Sequence, residues 1–249
     1  MSMNDKSVVV TGASSGIGKE IALQLAAKGC KVTLADVNES AGSAVVSEIE
    51  SNGGTAQFVS TDIANEASVK NMVESAVATY GKLDGACNSA AISQSNLPLT
   101  EISVEAWDRC HAVNARGTFL CNKHEILAML QHGGAIVNIS STCAVKGVPG
   151  LADYASTKAS IVSVTRSAAV EYSAQGIRVN AIMPGFTLTE NGKIALSKNP
   201  ELEEITAGLH PIGRAAEPEE IGAAVCWLLS DEASYVTGAI LPVDGAMTA

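Results

Sequence analysis

Positive charge is scarce in this chain of 249 residues: 16 Lys and Arg stand against 26 Asp and Glu, for a net charge of −10. That excess of acid argues against nucleic acid or an anionic membrane as a partner, because both reward basic stripes. The six cysteines (Cys30, Cys87, Cys110, Cys121, Cys143 and Cys226) contain no C-x-x-C pair and sit mostly in apolar runs. Reduced, buried thiols of a cytoplasmic protein are therefore expected. No apolar run approaches the ~18 residues that cross a bilayer. A strand-like run begins at Ser7, which leaves no room for a signal peptide and again points to the cytoplasm. Polar linkers, low-complexity tracts and repeats are missing too. With 47% hydrophobic residues and nothing to divide it, the chain reads as one domain over residues 1–249.

What is present is alternation. Strand-like runs at Ser7–Thr11, Lys31–Ala35, Ala56–Ser60, Leu83–Asn88, Ala135–Ser140, Arg178–Ile182 and Ala239–Val243 are separated by amphipathic stretches. Those stretches include Ile17–Lys28, Ala41–Ser51, Val69–Tyr80, Ala155–Ser173 and Glu219–Leu229. The rhythm predicts βαβ units: an α/β, doubly wound parallel sheet with helices on both faces. Residues 186–214 break it, polar and helical in pattern, and are expected to form a lid at the carboxyl edge of the sheet.

The first turn, Thr11-Gly12-Ala13-Ser14-Ser15-Gly16-Ile17-Gly18, follows a strand and opens a helix. There, glycines let backbone N–H groups and a helix N-terminus approach a pyrophosphate. Asp36 closes the second strand, where a carboxylate accepts hydrogen bonds from ribose hydroxyls and repels a 2′-phosphate. Neither Ser15 nor Val37 is basic, so NAD is favoured over NADP.

Tyr154 and Lys158 stand four apart on a predicted helix and so share a face. An ammonium beside a phenol is expected to pull the tyrosine pKa down from about 10, making it a usable acid/base. Ser141 follows the Ala135–Ser140 run, where its hydroxyl can meet that tyrosine over a pocket.

These features, with Asp62-Ile63, Asn88-Ser89-Ala90-Ala91, Asn114-Ala115-Arg116-Gly117 and Pro184-Gly185 with Thr189, resemble the short-chain dehydrogenase/reductase family in its single-domain branch, over the whole chain and in family order. The resemblance implies seven parallel strands, a Rossmann-like fold and a homotetramer. It assigns Asn114, Ser141, Tyr154 and Lys158 to catalysis, with Asn114 anchoring a water in a proton relay from Lys158. To the cofactor it assigns Gly12, Ser14, Ser15, Gly16, Ile17, Gly18, Asp36, Asp62, Ile63, Asn88, Ala90, Tyr154, Lys158, Pro184, Gly185, Thr187 and Thr189. Two departures stand out. Asn88-Ser89-Ala90-Ala91 replaces the usual Asn-Asn-Ala-Gly, and Asp244-Gly245-Ala246 replaces a double glycine.

The expected reaction moves a hydride between NAD(H) and a largely apolar secondary alcohol or ketone, whether cyclic, aryl or steroid-like. Ser93, Gln94, Ser141, Cys143, Val148 and Phe186 are the residues expected to face that small-molecule substrate. A 3-oxoacyl-carrier-protein reductase is the alternative, and a non-catalytic NAD-binding regulator a remote one. Three other patterns carry less. Gly12-Ala13-Ser14-Ser15-Gly16 spells a hydrolase elbow, but inside the nucleotide turn and with no acid and His placed to serve it. Cys110-His111 and Cys121…His124 lie on one apolar helical stretch, where packing is expected rather than a metal. Cys143 has no charged neighbour in sequence to activate its thiol.

Overall fold

The computed structural model describes residues 3–93, 95–198 and 201–249. Seven strands form one all-parallel sheet: β1 Ser7–Thr11, β2 Lys31–Asp36, β3 Thr55–Ser60, β4 Gly85–Asn88, β5 Gly134–Ile139, β6 Ile177–Pro184 and β7 Ile240–Val243. Their spatial order is β3-β2-β1-β4-β5-β6-β7. The helices are α1 Gly16–Ala27, α2 Glu39–Ser51, α3 Glu66–Tyr80, α4 Val104–Cys110, α5 Thr118–Met129, α6 Ala152–Tyr172, α7 Glu190–Lys198, α8 Glu201–Leu209 and α9 Pro218–Leu229.

Strand residues alternate between two cores, as the two-residue period of a pleated strand requires. Val8 and Val10 of β1 enter one core with Ile21 and Leu25 of α1, Val45 of α2 and Val225 of α9, while Val9 enters the other with Met72 of α3, Met129 of α5 and Ala168 of α6. Both faces being covered explains why Val8, Val9 and Val10 follow one another without a polar break and why β1 is buried at every position. Asn38, Asn65 and Ser103 cap α2, α3 and α4 by accepting from Ala41, Ser68 and Ala106 N–H groups.

The expected strands are all present, with β4 shortened to begin at Gly85. The helical stretch around Asn114 is not a plain α-helix, because a π-helical segment, His111–Gly117, joins α4 to α5. Extra-residue turns of this kind recur at functional sites. Between β6 and α9, the segment that breaks the rhythm holds the short helices α7 and α8. Because β2 and β4 lie on opposite sides of β1, the winding reverses there, and a crevice opens at the carboxyl ends of β1 and β4.

Candidate active site

That crevice is a cleft of about 630 Å³. Of the expected cofactor residues, Gly12, Ser14, Ser15, Ile17, Gly18, Asp36, Asp62, Ile63, Ala90, Tyr154, Lys158 and Thr189 line it. Its floor depends on glycine. Gly12 has φ +67°, and a Cβ there would meet the Ala90 Cα at 2.7 Å; one on Gly18 would meet the Gly12 carbonyl oxygen at 2.2 Å. Any side chain at either position therefore pushes backbone apart. Thr11 Oγ1 accepts from the Ser89 and Ala90 N–H groups, tying the exit of β4 to this turn. Ser15, at the N-cap of α1, makes no side-chain capping bond. At the far end, the Asp36 carboxylate accepts from Ser14 N at 3.1 Å and Asn38 N at 3.0 Å. A backbone cradle only glycine permits, an uncapped helix start and a carboxylate one strand away fit a dinucleotide.

The catalytic candidates converge from two elements. Tyr154 and Lys158 sit one turn apart near the start of α6, the lysine Nζ 5.4 Å from the ring centroid. Lys158 is 2% exposed and donates to the Ile139 carbonyl at the end of β5 at 2.8 Å. Ser141 follows β5, and its Oγ accepts from Cys143 N at 3.2 Å. Burial pushes the Tyr154 phenol up to about 12, with Cys143 adding to the rise and the Ser141 hydroxyl opposing it. Burial also brings Lys158 down to about 8. The expected lowering of the phenol by Lys158 is thus reversed. Desolvation dominates both groups, and the ammonium that should have stabilised a phenolate is itself buried and turned to a backbone carbonyl.

Other expected residues lie elsewhere. The Asn88 side chain points into the core and donates to Glu125 Oε2 at 2.9 Å and Asn138 Oδ1 at 3.0 Å. Asn114, in the π-helical segment, is fully buried. Its amide grips Ile92, accepting from its N–H at 2.8 Å and donating to its carbonyl at 3.1 Å. Pro184, Gly185 and Thr187 form the exit of β6, leading to Thr189. Of the substrate candidates, Ser93 lines the cleft and Cys143 donates its N–H to Ser141 Oγ. Val148 lines a separate recess. Phe186 is half-buried, its N–H donating to His210 Nε2, and Gln94 lies outside the described residues.

Cys110 packs on the Asn114 amide, His111 stacks on Trp107, Cys121 is buried, and His124 reaches Glu66 at 3.2 Å. Among the described residues no helix is long and apolar enough to cross a membrane. The sequence reading missed the buried network in which Asn138, Asn122 and Glu125 support Asn88. Its trace was visible, since Glu125 stands four residues from both Cys121 and Met129 on the buried stripe of α5.

A family model described as Enoyl-(Acyl carrier protein) reductase matches residues 12–248. The chain is 45% identical over 249 residues to 2,5-dichloro-2,5-cyclohexadiene-1,4-diol dehydrogenase of Sphingobium indicum, covering 99% of this chain and 98% of that one. It is 41% identical to cis-4-hydroxycyclohexanecarboxylate dehydrogenase of Sinomonas cyclohexanicum, covering 98% and 97%. A short-chain type dehydrogenase/reductase from Mycobacterium ulcerans, 35% identical, superposes with a TM-score of 0.96 over 99% of this chain and 91% of that one. With this fold, a cleft that fits a dinucleotide and kinship along its whole length, the chain belongs to the short-chain dehydrogenase/reductase family of nicotinamide-dependent oxidoreductases.

Proposed function

We propose that this protein is an NAD-dependent dehydrogenase of a largely apolar ring secondary alcohol, working reversibly as a ketone reductase, with Tyr154 as the proton-transferring group. The observation that carries this reading is one cleft shared by the glycine turn, Asp36, Tyr154 and Lys158. The ring alcohols named for the relatives that are 45% and 41% identical support the substrate class.

When bound, the nicotinamide ring supplies the hydride acceptor or donor. The chain supplies the rest. Ser141 donates to the substrate oxygen and holds it against Tyr154. Tyr154 gives its proton to a ketone oxygen or takes one from an alcohol. With Tyr154 at about 12 and Lys158 at about 8, the first proton leaves the pair near pH 8, and the remaining one is shared between phenol and amine. The phenolate–ammonium arrangement is a minor form of that singly deprotonated pair, so oxidation draws on it and grows with pH. Asn114, assigned to catalysis by resemblance, steadies the cleft wall through Ile92. Asp36 would accept from the adenosine ribose and reject a 2′-phosphate, Asp62 and Ile63 would flank the adenine, and Thr189 would meet the carboxamide, all four lining the cleft.

Residues 186–214 act as the lid of a single domain. An exposed apolar face around Phe119, Leu127 and Leu130 supports assembly as a homotetramer. The acidic balance supports an enzyme without nucleic-acid or anionic-membrane partners, and free cysteines, five of them buried, support a reducing, cytoplasmic setting. The matching family's description names a carrier-protein substrate, though an enoyl rather than a 3-oxoacyl one. However, a net charge of −10 opposes docking of an acidic carrier protein.

One panel tests the reading: NAD and NADP with cyclohexanol and an aryl secondary alcohol, beside NADPH with an acetoacetyl carrier protein. Oxidation of cyclohexanol with NAD is expected, favoured over NADP by more than about tenfold in kcat/KM. Preference for the carrier-protein substrate, with neither alcohol oxidised, contradicts it.

A further inference from the structure

Directly before Tyr154 stands Asp153, 1% exposed in the first turn of α6. One carboxylate oxygen accepts from both the N–H and the hydroxyl of Ser95, at 3.1 Å and 2.5 Å. The other accepts from Tyr154 N at 2.8 Å. A single buried carboxylate therefore joins the backbone of the tyrosine to the loop that follows β4. Burial raises the Asp153 pKa, yet the hydrogen bonds from Ser95 and Tyr154 outweigh it and leave the group below its ordinary value. The latch is thus charged at neutral pH, and charge-assisted hydrogen bonds are the stronger kind.

Its position gives it meaning. Ser93 and Tyr154 line the cofactor cleft. Asn96, Pro98 and Leu99 line a second recess of about 540 Å³, together with Val148, Pro149 and Ala152. On both chain segments the latch residues stand in sequence between residues that line the two spaces: Ser95 between Ser93 and Asn96, and Asp153 between Tyr154 and Ala152. Asn96 adopts φ +55°, turning the chain immediately beyond the latch. The recess is an open groove, with Pro98, Leu99 and Pro149 exposed; two prolines, a leucine and a valine beside Asn96 give it a largely apolar lining.

Resting on the reading of Tyr154 given above, we propose that Asp153 is a positioning residue that sets substrate size. By latching Ser95 it keeps a partition between the catalytic cleft and the apolar recess, which restricts the enzyme to compact monocyclic alcohols. Opening the latch joins the two spaces and admits longer, polycyclic ones. Narrow fit works through binding geometry, so its loss reads chiefly in KM and in selectivity.

The test compares cyclohexanol with 4-phenylcyclohexanol in wild type, Ser95→Ala, Ser95→Thr and Asp153→Asn. Wild type is expected to favour cyclohexanol. Ser95→Ala and Asp153→Asn are expected to raise the cyclohexanol KM by roughly tenfold and to shift the kcat/KM ratio toward the larger alcohol by at least about as much. Ser95→Thr, which keeps a hydroxyl, is expected to restore the wild-type ratio, and NADH Kd should stay within about twofold throughout. A variant that loses both alcohols in equal proportion, or keeps the wild-type ratio, overturns the proposal. Amide exchange across residues 92–99 reads the latch without substrate. Ser95→Ala should speed it while β4 and β5 stay protected, and unchanged exchange overturns the latch whichever alcohol is oxidised. Wild type that oxidises neither alcohol, with exchange as expected, removes the function proposed above and the size selection built on it.

Discussion

The turn at the floor of the cleft and the segment proposed as its lid are built in different ways. On the nucleotide side the β1–α1 turn is fixed by backbone against backbone, Gly18 beside the Gly12 carbonyl and Gly12 beside Ala90, over valines with no exposure. In the segment proposed above as the lid, Ile194, Ile205, Leu209 and Ile212 are each more than 40% exposed. Gly208 of α8 has open space where a Cβ would go. The first region is set by sterics that one atom can break, the second by side chains with room to change. An enzyme that keeps one cofactor while its substrate varies needs this division of labour.

Breaking the comparison at its stiff end should have the largest effect. Gly18→Ala puts a Cβ against the Gly12 carbonyl, and dinucleotide affinity is expected to fall by at least about a hundredfold in a binding titration, because no flexible neighbour can yield. Affinity near wild type would show that the turn relaxes.

The next effect lies beneath that turn. Glu125 is fully buried, its Oε1 has no hydrogen-bond partner among the described residues, and burial lifts its pKa from 4.5 to about 7 against the bond from Asn88. A folded-state pKa above the unfolded one means that its stabilising share is full below about pH 4.5 and is lost as pH rises through 7. Glu125→Gln should therefore gain up to about 3 kcal/mol on wild type between pH 5 and pH 8 in denaturant unfolding. A constant difference between the two proteins across that range would show that Glu125 does not titrate in the folded state.

A smaller effect sharpens the nucleotide side. Asp36→Ala with Val37→Arg should narrow or reverse the NAD preference, a shift of about tenfold or more in the kcat/KM ratio. An unchanged ratio would remove Asp36 from cofactor choice. The smallest belongs to the loose end. Gly208→Ala should raise stability by about 0.5–1 kcal/mol through helix propensity alone, read as Tm, leaving dinucleotide affinity untouched.

The same division decides what could be read in the chain. Glycines at 12, 16 and 18, the strand-ending Asp36 and the four-residue step from Tyr154 to Lys158 are spacings, and spacing survives in sequence. The alternation that foretold seven strands is legible for the same reason. Electrostatic balance is not: a favourable neighbour was visible at Lys158, while the burial that lifts Tyr154 and depresses Lys158 is a sum over the whole fold. Asn88 and Asn114 read as site residues, yet their side chains turn to Glu125, Asn138 and Ile92, since a motif gives position and not direction. The two departures also separate. Ala91 keeps a negative φ, so alanine is unstrained there, whereas Ala246 has φ +69°, a conformation suited to the glycine it replaces. Substrate residues were the least legible. Ser93 lines the cleft and Val148 the second recess, and no spacing rule tells from sequence where side chains on such loops point.

The central claim is that Tyr154, coupled to Lys158, moves the proton. It is tested most directly by kcat/KM for cyclohexanol oxidation with NAD, measured from about pH 6 to about pH 10 in wild type and Tyr154→Phe. With Lys158 near 8 and Tyr154 near 12, wild-type oxidation should rise through about pH 8. Tyr154→Phe should lose at least about a thousandfold at every pH while NADH Kd changes little. A flat wild-type profile, or a phenylalanine variant that still oxidises the alcohol, would contradict it.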